Sequence, residues 1–327
     1  MNKKIIALFV SIVMVITFLA GGCGNTQQAA QTADERVVHI GYWGGIPCEA
    51  PVLVAYENGI DEELGIKVEL VKIDYDVIPT MLANGQLDAT FQCADNIKQM
   101  EQGLQMVFTN GVHTGCVQYV APVDSPISSI ADLKGKTLGV ESTGGLSMTL
   151  LMVELRRLGI DPIEDVEWRT YSAEALMPAM EKGEIDLLGT WDPTPEIILQ
   201  SGKAKLIFSN TKDQPYSDLI NCFVAVNAKV VQDEPELSKK INQFFAEGAK
   251  FCAENPREAA EIMVEKKYVG ETVEFSEKLL KDYQWITDPA VAEQSYRWYI
   301  SALKDYNILD KATEPETFIK ATFIPCW

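Results

Sequence analysis

Four short stretches carry residue types able to do chemistry. Trp43-Gly44-Gly45-Ile46-Pro47-Cys48 sets an indole, two glycines and a thiol between an apolar strand and an apolar helix. Gly111-Val112-His113-Thr114-Gly115-Cys116 puts one of the chain's two histidines close to a thiol. Ser142-Thr143-Gly144-Gly145 offers hydroxyls and backbone amides ahead of a helical run, and Thr190-Trp191-Asp192-Pro193 pairs a second indole with a carboxylate. Glycines let a ligand approach the backbone, and the first N–H groups of a helix favour an anion or a carbonyl. Indole faces suit a planar or cationic group, and Asp192 would accept from an amine or hydroxyl. Each feature has an ordinary structural use as well. Trp43 and Trp191 fit core packing, Ser142 and Thr143 fit helix caps, and Asp192 fits a cap on the helix after Pro193. His113 reads as functional, because its glycine-flanked neighbours would bury it poorly.

Cys48 or Cys116 with His113 would also have the composition of a nucleophile–base pair. Six cysteines follow Cys23: Cys48, Cys93, Cys116, Cys222, Cys252 and Cys326. They admit fifteen disulfide pairings, and the sequence does not choose among these and buried free thiols. Cys48, Cys93 and Cys116 each come just after an apolar run, so they are expected near one edge. With no C-x-x-C and only His39 and His113 as histidines, neither a structural zinc site nor any other cofactor is expected.

The elements that would position these residues alternate. Val37–Tyr42, 65–73, 87–93, 105–110 and 117–123 have strand character, with helical runs at Pro51–Glu57, 77–84 and 97–102 between them. Residues 111–116 read as a turn. A second series starts at Ser125, with strands at 137–140, 166–171, 185–191, 206–208 and 222–226 and helices at 146–158 and 173–180. From Pro235 on, helices are expected around 236–255, 256–267, 272–284 and 291–307. Alternating βαβα units specify an α/β fold with mainly parallel sheets. In such sheets ligands sit beyond the carboxyl ends of strands. That rule brings forward Trp43, Gly45, Ile46, Pro47, Cys48, Phe91, Gln92, His113 and Thr114 from the first series. From the second it brings Ser142, Thr143, Gly144, Tyr171, Trp191 and Asp192.

At 327 residues two lobes are expected, and 47% hydrophobic with 23% charged residues describes a globular chain. A formal net charge of −19 argues against nucleic-acid binding and against adsorption to anionic lipid. Residues 1–22 read as a secretory signal: Lys3-Lys4 precede an apolar run, Ile5 to Ala20, broken only by Ser11 and Thr17. Leu19-Ala20-Gly21-Gly22-Cys23 resembles the lipobox of bacterial lipoproteins, which implies a lipidated Cys23. Ala20 departs from the commoner leucine there. Residues 23–35 are polar and aperiodic, as a flexible tether would be.

Pro47 before an apolar helix, Glu57-Asn58-Gly59, Ser125-Pro126-Ile127 with Asp132-Leu133-Lys134-Gly135-Lys136, Glu184-Ile185-Asp186 and Trp191-Asp192-Pro193 occur in one order. Together they resemble solute receptors of ABC importers, in the branch for nitrate, sulfonates, taurine and thiamine precursors. The resemblance implies a type II periplasmic-binding-protein fold, two α/β lobes joined by two hinge strands. Lobe 1 would be 36–121 plus 222–327 and lobe 2 122–221, with crossings near 120–123 and 221–226. It implies a monomeric, non-enzymatic receptor, lipid-anchored outside the cytoplasmic membrane, that passes a small molecule to an ABC permease with its ATPase. A sulfonate- or taurine-like solute comes first by that branch, and a thiamine-precursor pyrimidine or similar heterocycle second. No Arg falls at an expected loop end to clamp an oxyanion. A Cys/His enzyme on the same fold is the contrasting class; the cluster of adjacent cysteines used by a fungal pyrimidine-forming branch is absent.

Overall fold

The computed structural model describes residues 36–326; the expected signal, the Cys23 anchor and the 23–35 tether lie outside the described residues. Strands β1 (Val37–Tyr42), β2 (Lys67–Lys72), β3 (Ala89–Cys93) and β4 (Met106–Thr114) are followed by β5 (Val117–Pro122) and β6 (Thr137–Val140). Then come β7 (Glu167–Thr170), β8 (Leu187–Trp191), β9 (Ala204–Ser209) and β10 (Ile220–Asn227). Helices α1 (Ala50–Glu57), α2 (Ile60–Glu63), α3 (Ile78–Ala83), α4 (Asn96–Glu101), α5 (Leu146–Arg157), α6 (Ala173–Glu181) and α7 (Thr194–Gln200) lie between them. After β10 the chain is helical: α8 (Ala228–Asp233), α9 (Pro235–Glu254), α10 (Pro256–Glu265), α11 (Val273–Asp282), α12 (Pro289–Asp305) and α13 (Pro315–Thr322).

The strands form two five-stranded sheets, β2-β1-β3-β10-β4 and β7-β6-β8-β5-β9. Within each, four strands share one direction and one strand that has come from the other sheet is inserted antiparallel between two of them: β10 in the first, β5 in the second. Each sheet is therefore mixed, not purely parallel.

This pairing moves both expected crossings. Val120 to Pro122 sit inside the second sheet, paired with β8 and β9. The chain passes between the sheets at Gly115-Cys116, where both residues have positive φ (79° and 99°). A Cβ on Gly115 would lie 2.4 Å from Thr211 Oγ1, so only glycine fits that bend. The return runs through 210–219, and 221–226 is a strand of the first sheet.

Residues 111–114 are not a turn. β4 continues to Thr114, with His113 opposite Cys222. Gly111 is there for space: a Cβ would meet Ile220 Cδ1 at 2.5 Å and Ile286 O at 2.9 Å. A strand glycine under a crowded neighbour reads in sequence like a turn glycine.

Helix α1 is apolar on all sides because it is covered on all sides. Val52 and Ala55 join the main core over the first sheet, whereas Ala50, Leu53 and Val54 pack with Cys252, Ala259 and Met263 of the C-terminal helices. Its opposition to α9 is closest at Gly248, where a Cβ would fall 1.9 Å from Pro51 O. That contact fixes α1 and hence the loop before it. Among the described residues, no helix is long and apolar enough to cross a membrane.

Gly248→Ala should force α1 and α9 apart and destabilise the fold by about 3 kcal/mol, the upper part of the range for overpacking. Urea unfolding measures it; an unchanged midpoint would show that the helices separate freely.

Candidate functional site

The carboxyl ends of β1 and β3 in the first sheet face those of β6 and β8 in the second. Between them lies a small cavity lined by Trp43, Ile46, Cys48, Tyr75, Phe91, Cys93, Cys116, Leu146, Trp191 and Cys222. Its volume is ≈ 10 Å³, about the room one water needs. Four aromatic rings make up much of the wall. Trp43 lies 4.7 Å from Phe91 and 4.8 Å from Tyr75, and Tyr75 lies 5.6 Å from Trp191, centroid to centroid. The Tyr75–Trp191 contact joins the two halves. Outside it is a wider groove of ≈ 230 Å³ lined by Asp74, Tyr75, Asp76, Glu141, Ser142, Ala173 and Trp191. The mouth is acidic and the interior aromatic.

The other wall material is sulfur. Cys48, Cys93 and Cys116 do gather, and Cys222 joins them from β10. All six cysteines among the described residues are free and buried. Cys93 Sγ lies 3.0 Å from Cys222 Sγ, and Asn221 Nδ2 approaches both Cys116 and Cys222 at 3.6 Å. Burial pushes the Cys48 thiol well up, which leaves it protonated and a poor nucleophile. Hydrogen bonds from Cys222 and Cys48 push Cys116 down.

The loop amides expected to meet a ligand are already occupied. Buried Glu49, in the helical turn Pro47–Glu49, accepts from Trp43 N (2.7 Å) and Gly44 N (2.6 Å), and Gly45 N donates to Tyr268 O (2.8 Å). The loop is thus held rigid from behind while the Trp43 ring is left facing the cavity. Burial raises Glu49 to about 8 against these two amides.

Asp192 is fully inside and caps nothing; the residue before α7 is Pro193. Its carboxylate accepts from Gln118 Nε2 (2.8 Å) in the second half and from Tyr283 OH (3.0 Å) in the first. Burial dominates and lifts Asp192 to about 7. Burial likewise raises Glu141, bonded by Thr190 Oγ1, to about 8, and Asp95, approached by Tyr75 OH at 3.4 Å, to about 6. Trp43 Nε1, Gln118 Oε1, Glu141 Oε2 and His113 Nε2 are buried without a partner among the described residues. An unpaired buried polar atom of this kind costs about 1–3 kcal/mol, so a ligand that met one would gain from it.

The cavity collects Trp43, Ile46, Cys48, Phe91 and Trp191 of the expected set; Asp192 does not line it but is tied to its wall by its backbone N–H, which donates to Cys116 O at 2.8 Å. Pro47 starts the turn that aims Cys48, and exposed Gly45 sits behind the loop. Gln92 points to the opposite face of β3 from Phe91 and Cys93, as a period of two requires, and bonds Asn96. His113 is fully buried, stacked on Tyr283 at 5.0 Å, because strand pairing with β10 places it in the core. Thr114 is buried beside it. Ser142 reaches only the outer groove; Thr143 and Gly144 are exposed, and Gly145 precedes α5 with no side-chain cap. Tyr171 turns away to Glu184.

Tyr75, Cys93, Cys116, Leu146, Cys222, Gln118 and Tyr283 complete the site. Tyr75 follows the carboxyl end of β2, so the strand-end rule reaches it once β2 is included. Tyr283 arrives from the C-terminal helices, and no local signal marks it.

Two mixed sheets facing a cavity across their strand ends define a periplasmic-binding-protein fold. Solved structures agree. The periplasmic nitrate-binding protein NrtA of Synechocystis superposes with a TM-score of 0.72 at 12% identity, covering 89% of this chain and 86% of that one. The periplasmic aliphatic sulphonate binding protein SsuA of Escherichia coli superposes at 0.69 and 16%, covering 84% and 88%. The chain belongs to the NMT1/THI5-like family, whose profile matches residues 47–259. A curated relative, a "putative thiamine biosynthesis protein" of Haemophilus influenzae, is 26% identical over 162 residues, 47% of this chain. The chain spans about half that relative's length, 49%.

The raised carboxyls set a pH dependence. Each holds its proton more tightly folded than unfolded, so its contribution is complete below the unfolded range near pH 4. It is lost as pH rises through the folded values of about 6 to 8. Melting temperature should therefore fall between pH 5 and pH 8. Asp192→Asn should flatten that fall and gain on the order of 1 kcal/mol at pH 8, since Gln118 can turn its free Oε1 toward the new amide. Calorimetry at the two pH values decides; a wild type that grows more stable toward pH 8 would contradict the assignment.

Proposed function

We propose that this chain is the extracytoplasmic solute receptor of an ABC importer, and that its solute is a flat nitrogen heterocycle carrying an amino group, such as an aminopyrimidine. The observation that carries this reading is the chemistry of the cavity wall. Four aromatic faces surround the space, Asp192 is hydrogen-bonded to its wall at Cys116, and among the described residues no Lys or Arg lines it. Once the halves part to widen the space, a planar ring stacks on such faces, and its amino group would donate to Asp192 or to the free oxygen of Gln118 or Glu141. A protonated ring gains further from the indoles and from the acidic mouth.

This reverses the order expected from the sequence, in which sulfonate- or taurine-like solutes came first. An oxyanion needs positive charge or free amides, and the Trp43–Gly45 amides are held by Glu49 and Tyr268. Membership of the NMT1/THI5-like family and the Haemophilus relative's name support the heterocycle. The names of the nitrate- and sulphonate-binding neighbours support the receptor role at the level of class.

The two halves serve as lobes, 36–115 plus 220–326 and 117–219, opening at Gly115-Cys116 and along 210–219. Cys23 would carry lipid and hold a monomeric receptor at the outer face of the membrane through the 23–35 tether. The permease with its ATPase would receive the solute from the closed form, as population shift by a ligand held between lobes allows. The chain acts as a binder and not as an enzyme, consistent with a Cys48 thiol held protonated.

Titration calorimetry with aminopyrimidines, taurine, alkanesulfonates and nitrate tests the reading. Saturable binding is expected for an aminopyrimidine and none for the anions; tight sulfonate or nitrate binding alone would sink it. Trp43→Ala should weaken the bound heterocycle at least tenfold while lowering the melting temperature by only a few degrees. The reverse pattern would return Trp43 to the core.

A further inference from the structure

The sulfur in the cavity wall has no part in solute recognition as described above. Of its thiols, Cys93 and Cys222 stand apart in geometry. They are directly opposed residues on antiparallel β3 and β10, both on the cavity face. Directly opposed antiparallel residues hold their Cα atoms about 4.5–5.5 Å apart, inside the 4.4–6.8 Å window of a disulfide. The two Sγ atoms are 3.0 Å apart, already in contact, and close to a bond of about 2.05 Å with a side-chain movement of about 1 Å. No element has to shift. Cys252 on α9 and Cys326 beyond α13, in contrast, do not line the cavity.

We propose that Cys93 and Cys222 form a redox-modification site in the floor of the cavity, a dithiol that a low-molecular-weight disulfide converts to a cross-strand disulfide. With the two halves parted, as the proposed function requires, Cys93, 6% exposed against 0% for Cys222, is the attacking sulfur on the cavity side. Its thiolate displaces one thiol from the small disulfide and forms a mixed disulfide. Cys222 then attacks Cys93 Sγ and releases the second thiol. One disulfide is reduced to two small thiols, which carry off the protons of Cys93 and Cys222, and one protein disulfide is formed. An exported chain meets such disulfides outside the cytoplasm.

The bond closes a loop of 129 residues, the separation between the two cysteines. It ties β3 to the strand that returns from the second half. Neighbouring Asn221 holds the crossing by donating to Gly115 O at 3.2 Å. Oxidation therefore stiffens the floor from which that crossing starts. It also removes two S–H groups from the wall, whatever the solute proves to be.

The experiment incubates the purified full chain with oxidised glutathione, traps remaining thiols with N-ethylmaleimide in denaturant and maps peptides by mass spectrometry. The expected result is one linked pair of peptides containing Cys93 and Cys222, the other thiols alkylated, and a rise in melting temperature that dithiothreitol reverses. Cys222→Ala should abolish the linkage and leave a glutathione adduct on Cys93, and Cys252→Ala should leave the linkage intact. Cys222→Ser serves if the alanine variant does not fold, and mapping of the wild type stands without either. Full alkylation of both cysteines after oxidation, or linkage of Cys93 to Cys48 or Cys116, would overturn the proposal.

Discussion

A carboxylic acid buried between two sheets has to be given partners by both, and Asp192 is given them. Gln118 of β5 donates from the second half and Tyr283 from the first. Without these bonds the group would pay the penalty of an unsatisfied buried acid, about 1–3 kcal/mol and more if ionised. Much else in the site follows from meeting that demand. Tyr283 must be carried to the cavity by the C-terminal helices, and once there it stacks on His113 and lies 3.9 Å from Cys48. Lys278 on α11 reinforces the same join with an ion pair to Glu196 on α7, 2.7 Å apart. The two halves are thus joined by these polar contacts as well as by the Tyr75–Trp191 rings.

Glu49 makes a second, quieter decision. A carboxylate that accepts the amides of Trp43 and Gly44 fixes the loop without using the cavity side of it. The same bonds withdraw those amides from any anion. A strand–glycine loop–helix unit is commonly an anion site because its N–H groups are free. Here they are not, and the recognition left to the loop is the face of Trp43. The wall that results is aromatic and sulfur-lined with acid at its mouth, and among the described residues no Lys or Arg lines it.

Much of the architecture was legible in the chain. Alternating apolar strands and helices specified two α/β units, and the helical tail fell within a few residues of α9 to α12. Trp43, Cys48, Phe91 and Trp191 were reachable because a strand end can be read locally. Three things were not. Gly111 and Gly115 look alike in sequence, yet one is crowded within a strand and the other turns the chain, so the crossing was placed five residues late. His113 reads as a loop residue until β10 is known to lie beside it. Tyr283 and Cys222 reach the cavity only through the return of the chain from the second half, a long-range fact with no local trace.

A crystal structure of the chain with an aminopyrimidine tests the aromatic–acid cavity most directly. The ring is expected between Trp43 and Trp191, with its amino group within hydrogen-bonding distance of the Asp192, Gln118 or Glu141 oxygens and the Trp43–Gly45 amides still bonded to Glu49 and Tyr268. A solute seated instead on those amides, with Glu49 displaced, would contradict the assignment of the site to a heterocycle.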